Sequence, residues 1–264
     1  MKFKDKVIWI TGAASGIGEA LAYQAIAYGG KLILSDVDRP GLSRVADACT
    51  SSGASVLDLP LDLASRTSIE QAVEVAIGHF GRVDVLINNG GISQRSLTWE
   101  TPLEVDQKIM NVNFFGAVIL TKAVLPHMMK AGSGCIAATS SITGKFGFPL
   151  RSAYAASKHA TQGFFETLSI ELADQNISVT IAMPGRVRTN ISVNALTRDG
   201  TPHGQMDPGQ AAGITAERCA RKYLDAIHQR KHEVLIGGRE LMIVHIRRFL
   251  PSLFYRLARK IKPE

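Results

Sequence analysis

The chain has 264 residues, 45% of them hydrophobic and 20% charged, with 30 Lys and Arg against 23 Asp and Glu. That balance excludes wholesale disorder, and the length allows one large α/β domain or two smaller ones. The net charge of +7 raises nucleic acid or an anionic membrane as partners without saying where the excess sits.

Cys49, Cys135 and Cys219 are far apart and odd in number, which gives no metal spacing and no disulfide framework and points to a reducing cytoplasm. Met1-Lys-Phe-Lys-Asp-Lys6 opens without an apolar stretch of signal-peptide length before Thr11, so no cleaved export signal is expected. No uninterrupted apolar run reaches bilayer-spanning length. The best candidate, Leu241 to Tyr255, is broken by Arg247, Arg248 and Pro251, and no transmembrane segment is expected.

Val7-Ile-Trp-Ile10 is a short apolar run ending in a glycine-rich turn and reads as a buried strand. Ile17 to Tyr28 follows with helical apolar spacing and stops at Gly29-Gly30. Leu32–Leu34 reads as a strand, Gly41–Cys49 as a helix and Ser55–Leu59 as a strand. A helix over Ser68–Phe80, capped by Thr67 or Ser68, precedes a strand at Val83–Ile87. Further helices are predicted near Leu103–Met129, Ala153–Ala173 and Ala216–His228, and strands at Cys135–Thr139, Ser178–Met183 and Glu233–Ile236. Apolar strands alternating with helices imply one doubly wound parallel sheet of about seven strands with helices on both faces. Without a repeat or a linker, residues 1–238 read as one domain. Residues 186–213, rich in Gly and Pro, read as an irregular lid, and residues 239–264 as a basic amphipathic extension.

Thr11-Gly-Ala-Ala-Ser-Gly-Ile-Gly18 joins the first strand to the first helix. There backbone N–H groups and a helix N-terminus can meet a pyrophosphate. Gly12, Gly16 and Gly18 give the tight turn, the close ligand approach and the close helix packing, and Ser15 and Ile17 lie among them. Asp36, just past the second strand, can accept both hydroxyl hydrogens of an adenosine ribose and repel a 2′-phosphate. This favours NAD(H) over NADP(H), although Arg39 nearby offers a phosphate partner. Tyr154 and Lys158 are one helical turn apart and share a face. A phenol ionises near pH 10, and an ammonium beside it favours the phenolate.

The spacing G-x-x-x-G-x-G, followed in order by Asp62, Asn88-Asn-Gly-Gly91, Tyr154-Ala-Ala-Ser-Lys158 and Pro184-Gly-Arg-Val-Arg-Thr189, resembles the short-chain dehydrogenase/reductase family over nearly the whole chain. Gly90 stands where that family usually has alanine. The resemblance implies that Asp62 contacts the adenine amino group, with the Leu63 backbone beside it. It also implies that Asn88, Asn89 and Gly90 line the adenosine ribose and hold the end of the fourth strand. Thr189 would bind the nicotinamide carboxamide on a loop shaped by Pro184, Gly185 and Val187, and Lys158 the nicotinamide ribose. By the same resemblance Ser141 binds the substrate oxygen, with Ser140 as the alternative, and Tyr154 exchanges its proton. Asn113, with Asn111 the competitor, bends its helix and holds a water that connects Lys158 to solvent.

The implied activity is hydride transfer between a nicotinamide cofactor and a ketone or secondary alcohol. The alternative is a catalytically silent NAD-binding sensor or regulatory module, against which the full set Asn113, Ser141, Tyr154 and Lys158 argues. The pocket is expected from 92–99, 142–151 and 186–206, where Phe146, Phe148, Leu150, Ile191 and Leu196 suggest a lipophilic substrate, steroid-like or acyl-chain, or else lid core. Arg151–Phe165 and Thr189–Ala195 narrow the resemblance to the dehydrogenase/reductase member 7B-type subgroup, related to 11β-hydroxysteroid dehydrogenases. Relatives there carry an N-terminal membrane anchor, which is not expected here. Family members commonly form dimers or tetramers through the helices that here begin near Leu103 and Ala153, so a homodimer or homotetramer is implied.

Pro251 can start a last helix with Leu253, Phe254, Leu257, Ala258 and Ile261 on one side and Arg256, Arg259 and Lys260 on the remainder. Such a segment either packs on protein, the favoured reading, or touches an anionic membrane peripherally. Residues 241–264 carry five of the seven net positive charges, so the basic balance belongs to the tail. No nucleic-acid module accompanies it.

Overall fold

The computed structural model describes residues 2–259. Its strands are β1 (Val7–Thr11), β2 (Lys31–Ser35), β3 (Val56–Asp58), β4 (Val85–Asn88), β5 (Gly134–Thr139), β6 (Ile177–Pro184) and β7 (Glu233–Ile236). They form one sheet in the order β3-β2-β1-β4-β5-β6-β7, every neighbouring pair parallel. These strands are continuous apolar runs because both faces are covered. Along β1, Ile8 and Ile10 enter one core while Val7 and Trp9 enter the other.

The first core is roofed by α1 (Gly16–Ala27), α2 (Arg39–Ser51) and a late helix over Ala216–His228. The second is roofed by α3 (Arg66–Phe80), by the run Leu103–Ala131 and by a helix over Ser152–Glu171. Strand order reverses between β1 and β4, so the chain leaves these two strands in opposite directions. That opens a crevice at their C-terminal ends, where ligands of such sheets bind. The predicted doubly wound sheet with helices on both faces is therefore what the chain adopts.

Three local features differ from expectation. The cap of α3 is neither Thr67 nor Ser68 but Ser65, whose hydroxyl accepts the Ser68 N–H at 3.3 Å, so the helix starts at Arg66. The helix predicted over Leu103–Met129 is α4 (Leu103–Met110) and α5 (Gly116–Ala131) joined by a π-helical turn over Asn111–Phe115. Together these span 29 residues, long and apolar enough to cross a membrane by length and composition. Reading only unbroken apolar runs passes it over, because Lys108, Asn111, Asn113 and Lys122 interrupt it. In the fold, Val105, Ile109, Ala117, Leu120, Val124 and Met128 are buried, as in a core helix of a globular domain.

The lid, residues 186–213, is largely irregular apart from a single turn, α7 (Pro208–Ala211), and is tied back by hydrogen bonds. Leu196 N–H donates to Ser93 O and Arg95 N–H to Leu196 O, both at 2.8 Å. With α6 the helix Ser152–Glu171 and α8 that at Ala216–His228, the extension adds two more helices. The unanticipated α9 (Met242–Phe249) precedes α10 (Pro251–Ala258), which Pro251 starts as predicted. On α10, Phe254 is buried and Ala258 packs beside it, whereas Leu253 and Leu257 are exposed. Lys260, Ile261, Lys262 and Glu264 lie outside the described residues.

Candidate active site

At the C-terminal edge of the sheet a cavity of about 660 Å³ runs from the end of β2 to the start of α6. Its β1–α1 turn depends on glycine. Gly12 (φ +67°) and Gly16 (φ +58°) sit in the left-handed region that other residues avoid. A side chain on Gly18 would strike the Gly12 carbonyl, and one on Gly12 would meet Gly90 Cα at 2.7 Å. The turn therefore presses against the end of β4. There the Thr11 hydroxyl accepts N–H groups of Asn89 and Gly90, each at 3.0 Å, and Asn89 Nδ2 donates to Thr11 O at 3.0 Å. Gly90, where an alanine is usual, leaves room filled by Leu63, whose Cδ1 stands 2.6 Å from where a Cβ would project.

At one end of the cavity Asp36 accepts the N–H groups of Ala14 and Asp38, each at 3.0 Å. Asp38 and Asp62 also line this cavity, and among the described residues its only basic lining residues are Lys108 and Lys158. Arg39 is exposed and does not line it. Asp62 accepts from Ala64 N–H at 2.8 Å. At the other end Thr189 packs its methyl toward Gly16, and Pro184, Gly185 and Val187 carry the chain from β6 past the cavity.

Tyr154 and Lys158 rise from the first turns of α6, with Lys158 Nζ 5.7 Å from the phenol ring centre and donating to Thr139 O at 2.8 Å. Burial pushes the Lys158 ammonium down to about 8. Burial also raises the Tyr154 phenol, opposed by a hydrogen bond from the Ser141 side and by the charges of Arg95 and Arg151. Ser140 spends its hydroxyl elsewhere: it donates to Lys158 O and accepts from Gln162 Nε2, each at 2.9 Å. Ser141, which faces the Tyr154 phenol, donates to Pro184 O at 3.4 Å and accepts the N–H of Thr143 at 3.2 Å.

Asn113 sits in the π-helical turn with its amide clamped on Ile92. Oδ1 accepts the Ile92 N–H at 2.8 Å, and Nδ2 donates to Ile92 O at 2.9 Å and to Ser157 Oγ at 3.0 Å. Gly91 lies between Asn113 and Lys158, where even a Cβ would stand 3.1 Å from Asn113 Oδ1 and 3.4 Å from Lys158 Nζ.

Of the residues singled out in the sequence, Gly12, Ser15, Gly16, Ile17, Asp36, Asp62, Leu63, Asn89, Gly90, Ser141, Tyr154, Lys158, Pro184, Gly185, Val187 and Thr189 line this one cavity. Gly18, Asn88 and Asn113 stand behind it. Gly18 packs under the turn, Asn88 donates to Thr121 Oγ1 at 3.0 Å, and Asn113 backs Lys158. Among the apolar pocket candidates, Ile191 and Leu196 line the cavity. Phe146 turns away instead and stacks on Phe254 of the extension at 5.3 Å, and Phe148 lies under the Arg151 guanidinium at 4.8 Å.

One group was not legible in the sequence. Asp207, on the lid, receives Arg95 through Nε at 3.2 Å and a second nitrogen at 2.6 Å, and Arg151 at 2.7 Å. Burial alone would raise the Asp207 carboxyl, but the guanidinium hydrogen bonds and charges outweigh it and hold it low. Beside Arg95, Gln94 Oε1 caps the start of α6 by accepting the Ala153 N–H at 2.9 Å. The lid, the loop after β4 and the Tyr154 helix thus meet in one buried ionic knot.

Comparison with known proteins agrees with this fold. Residues 6–199 match the short chain dehydrogenase family. The chain is 42% identical over 259 residues to mouse dehydrogenase/reductase SDR family member 7B, covering 96% of this chain and 80% of the mouse protein. It is 40% identical over 263 residues to human dehydrogenase/reductase SDR family member 7, covering 97% and 78%. Among solved structures, a Burkholderia phymatum short chain dehydrogenase/reductase in complex with NAD superposes with a TM-score of 0.86, at 27% identity and 96% coverage of both chains. Levodione reductase superposes at 0.80 with 29% identity, over 90% of this chain and 98% of its own.

Proposed function

Because the chain belongs to the short-chain dehydrogenase family and is an oxidoreductase of that family, we propose that it reduces a lipophilic ketone, or oxidises the matching secondary alcohol, with NAD(H). The observation that carries this reading is the cavity itself. A glycine cradle that a Cβ would fill, the start of α1 and the carboxylate of Asp36 lead to Ser141, Tyr154 and Lys158 at its far end. These residues fit a nicotinamide dinucleotide.

When bound, that cofactor supplies or accepts the hydride. Gly12, Ser15, Gly16 and Ile17 would receive its pyrophosphate, with Gly18 keeping the turn tight, and Asp62, Leu63, Asn88, Asn89 and Gly90 would form the adenosine wall. Pro184, Gly185, Val187 and Thr189 would form the nicotinamide wall. Asp36 supports NAD(H), because Asp36 and Asp38 line its end of the cavity while Arg39 does not reach it.

The Ser141 hydroxyl orients the substrate oxygen. Tyr154 gives its phenolic proton to that oxygen in reduction and takes it back in oxidation. Lys158 favours the phenolate left behind and passes on a proton, and Asn113 holds the Ile92 loop and the water path behind Lys158. Ile191 and Leu196 support an apolar substrate. A homodimer or homotetramer is part of this reading, supported by Phe115 and Met129 exposed on the α4–α5 run, and a cytoplasmic location is proposed with it.

The test is Tyr154→Phe, assayed by nicotinamide absorbance across a panel of lipophilic ketones and alcohols with both cofactors. Turnover falls by roughly 10²–10⁴-fold while NADH still binds, as seen by fluorescence. Turnover that survives the substitution refutes the proton role. A clear NADP(H) preference refutes the role of Asp36.

A further inference from the structure

The C-terminal helices are two-faced. Inward, Ile243, Val244, Ile246 and Phe254 gather with Ile142 and Phe146, just beyond Ser141. At their root Glu240 accepts the N–H groups of Arg186 and Gly238, each at 3.0 Å, and so is tied to the loop that carries Gly185. These helices therefore pack behind the segment that carries Ser141 and against the loop that carries Gly185.

Outward, Met242, Phe249, Leu250, Leu253, Tyr255 and Leu257 are exposed, Phe249 by 69% and Met242 by 61%. They are six of the fifteen large exposed hydrophobic residues among the described residues, gathered within sixteen positions. A scattered exposed apolar side chain is ordinary, but such a concentration marks a contact surface. Between 242 and 259 there are four arginines and no carboxylate. The Arg247 guanidinium lies 5.4 Å from the Tyr255 ring centre and that of Arg248 lies 5.7 Å from Phe249. Both guanidinium groups thus stand within cation–π range of the rings, so positive charge sits directly beside the exposed apolar side chains.

We propose that this outer face of α9 and α10 is a docking surface for an anionic lipid bilayer, with the rings and aliphatic side chains entering the headgroup region and the arginines on lipid phosphates and carboxylates. Charge decides between this and a second copy of the chain. A two-fold contact through this face would set arginines against arginines with no carboxylate of the face to answer them. The docking itself does not depend on the catalytic assignment, because Tyr154→Phe leaves the face intact.

The full-length protein is sedimented with sucrose-loaded vesicles of phosphatidylcholine alone and of phosphatidylcholine with 30% phosphatidylserine. The wild type co-sediments with the anionic vesicles and at least tenfold less with the neutral ones. Both F249S/L250S and R248E/R256E lower that binding at least tenfold, with NADH binding and far-ultraviolet circular dichroism unchanged. Equal recovery with both vesicle types, or binding that survives both double variants, overturns the proposal. So does a wild-type dimer in sedimentation velocity that F249S/L250S dissociates, since the face then belongs to a second copy. Capture by an acidic protein without vesicle binding overturns it as well.

Discussion

Replacing Asp207 by asparagine keeps its shape and removes the one charge that Arg95 and Arg151 share. Arg95 makes two of its bonds to this carboxylate, at 2.6 and 3.2 Å, and its side chain is only 4% exposed, so water cannot take over. Removing one partner of a buried pair costs about 3–5 kcal/mol. The Asp207 and Arg151 side chains, 19% and 18% exposed, lie nearer the edge, where solvent offsets part of that loss. D207N is therefore expected to lose about 2–3 kcal/mol at pH 7, which lowers Tm by roughly 5–10 °C in a chain of this size.

The effect has a pH signature. The arginines hold the Asp207 carboxyl below its unfolded value, so its contribution is complete above a pH of about 4 and is lost as pH falls through the lowered folded value. Melting curves by circular dichroism for wild type and D207N from pH 3 to 8 give two parallel sets that converge in acid. A difference below 1 °C at pH 7, or a gap that persists undiminished at pH 3, refutes the reasoning.

Lys158→Met is expected to raise the Tm of the cofactor-free protein at pH 7 while abolishing turnover. Burial lowers the ammonium to about 8, so the folded state carries a cost that is present below pH 8 and fades as pH rises toward 10.5; scanning calorimetry at pH 7 and 10 checks both sign and trend. Gly18→Ala is expected to abolish NADH binding, because the added methyl meets the Gly12 carbonyl backbone. Gly90→Ala binds within a fewfold of wild type, since its one severe contact is the movable tip of Leu63, with Gly12 N and Thr11 Oγ1 at 3.3 and 3.4 Å, and fluorescence titration separates the two. Asp36→Asn is expected to narrow the ratio of NAD to NADP kcat/KM, measured by steady-state kinetics.

The sheet was legible because both of its faces are covered. A strand such as Val7–Ile10 then has no polar position and stands out as an unbroken run between turns. The cavity wall was legible where its lining comes from one local string, as with Thr11–Ile17 or the Tyr154–Lys158 turn. Arg95 and Asp207 are 112 residues apart, and each alone resembles a solvated surface charge; only the folded lid brings them together. Phe146 misled for a related reason. It lies within the expected pocket segment 142–151, but Phe254, more than a hundred residues later, draws it into a separate cluster. The Ser65 cap was hidden because Ser65, Thr67 and Ser68 are all competent caps, and only the bond to the Ser68 N–H distinguishes them.

The π-helical turn at Asn111–Phe115 acts as a phase adjuster between two differently used helices. Upstream, Val105 and Ile109 meet Ala153 and Leu196 beside the lid, whereas downstream Ala117, Leu120, Val124 and Met128 serve the sheet core. One residue accounts for about 100° of helix rotation, so a single deletion within 111–115 would swing one helix by that angle relative to the other. Either the core stripe or the Asn113 clamp on Ile92 would then face water. Insertions and deletions are usually tolerated least in regular helix, yet here five residues set the timing for everything on either side. A chain redesigned with an ideal α-helix through 103–131 would gain regular hydrogen bonding and lose the alignment of core and site.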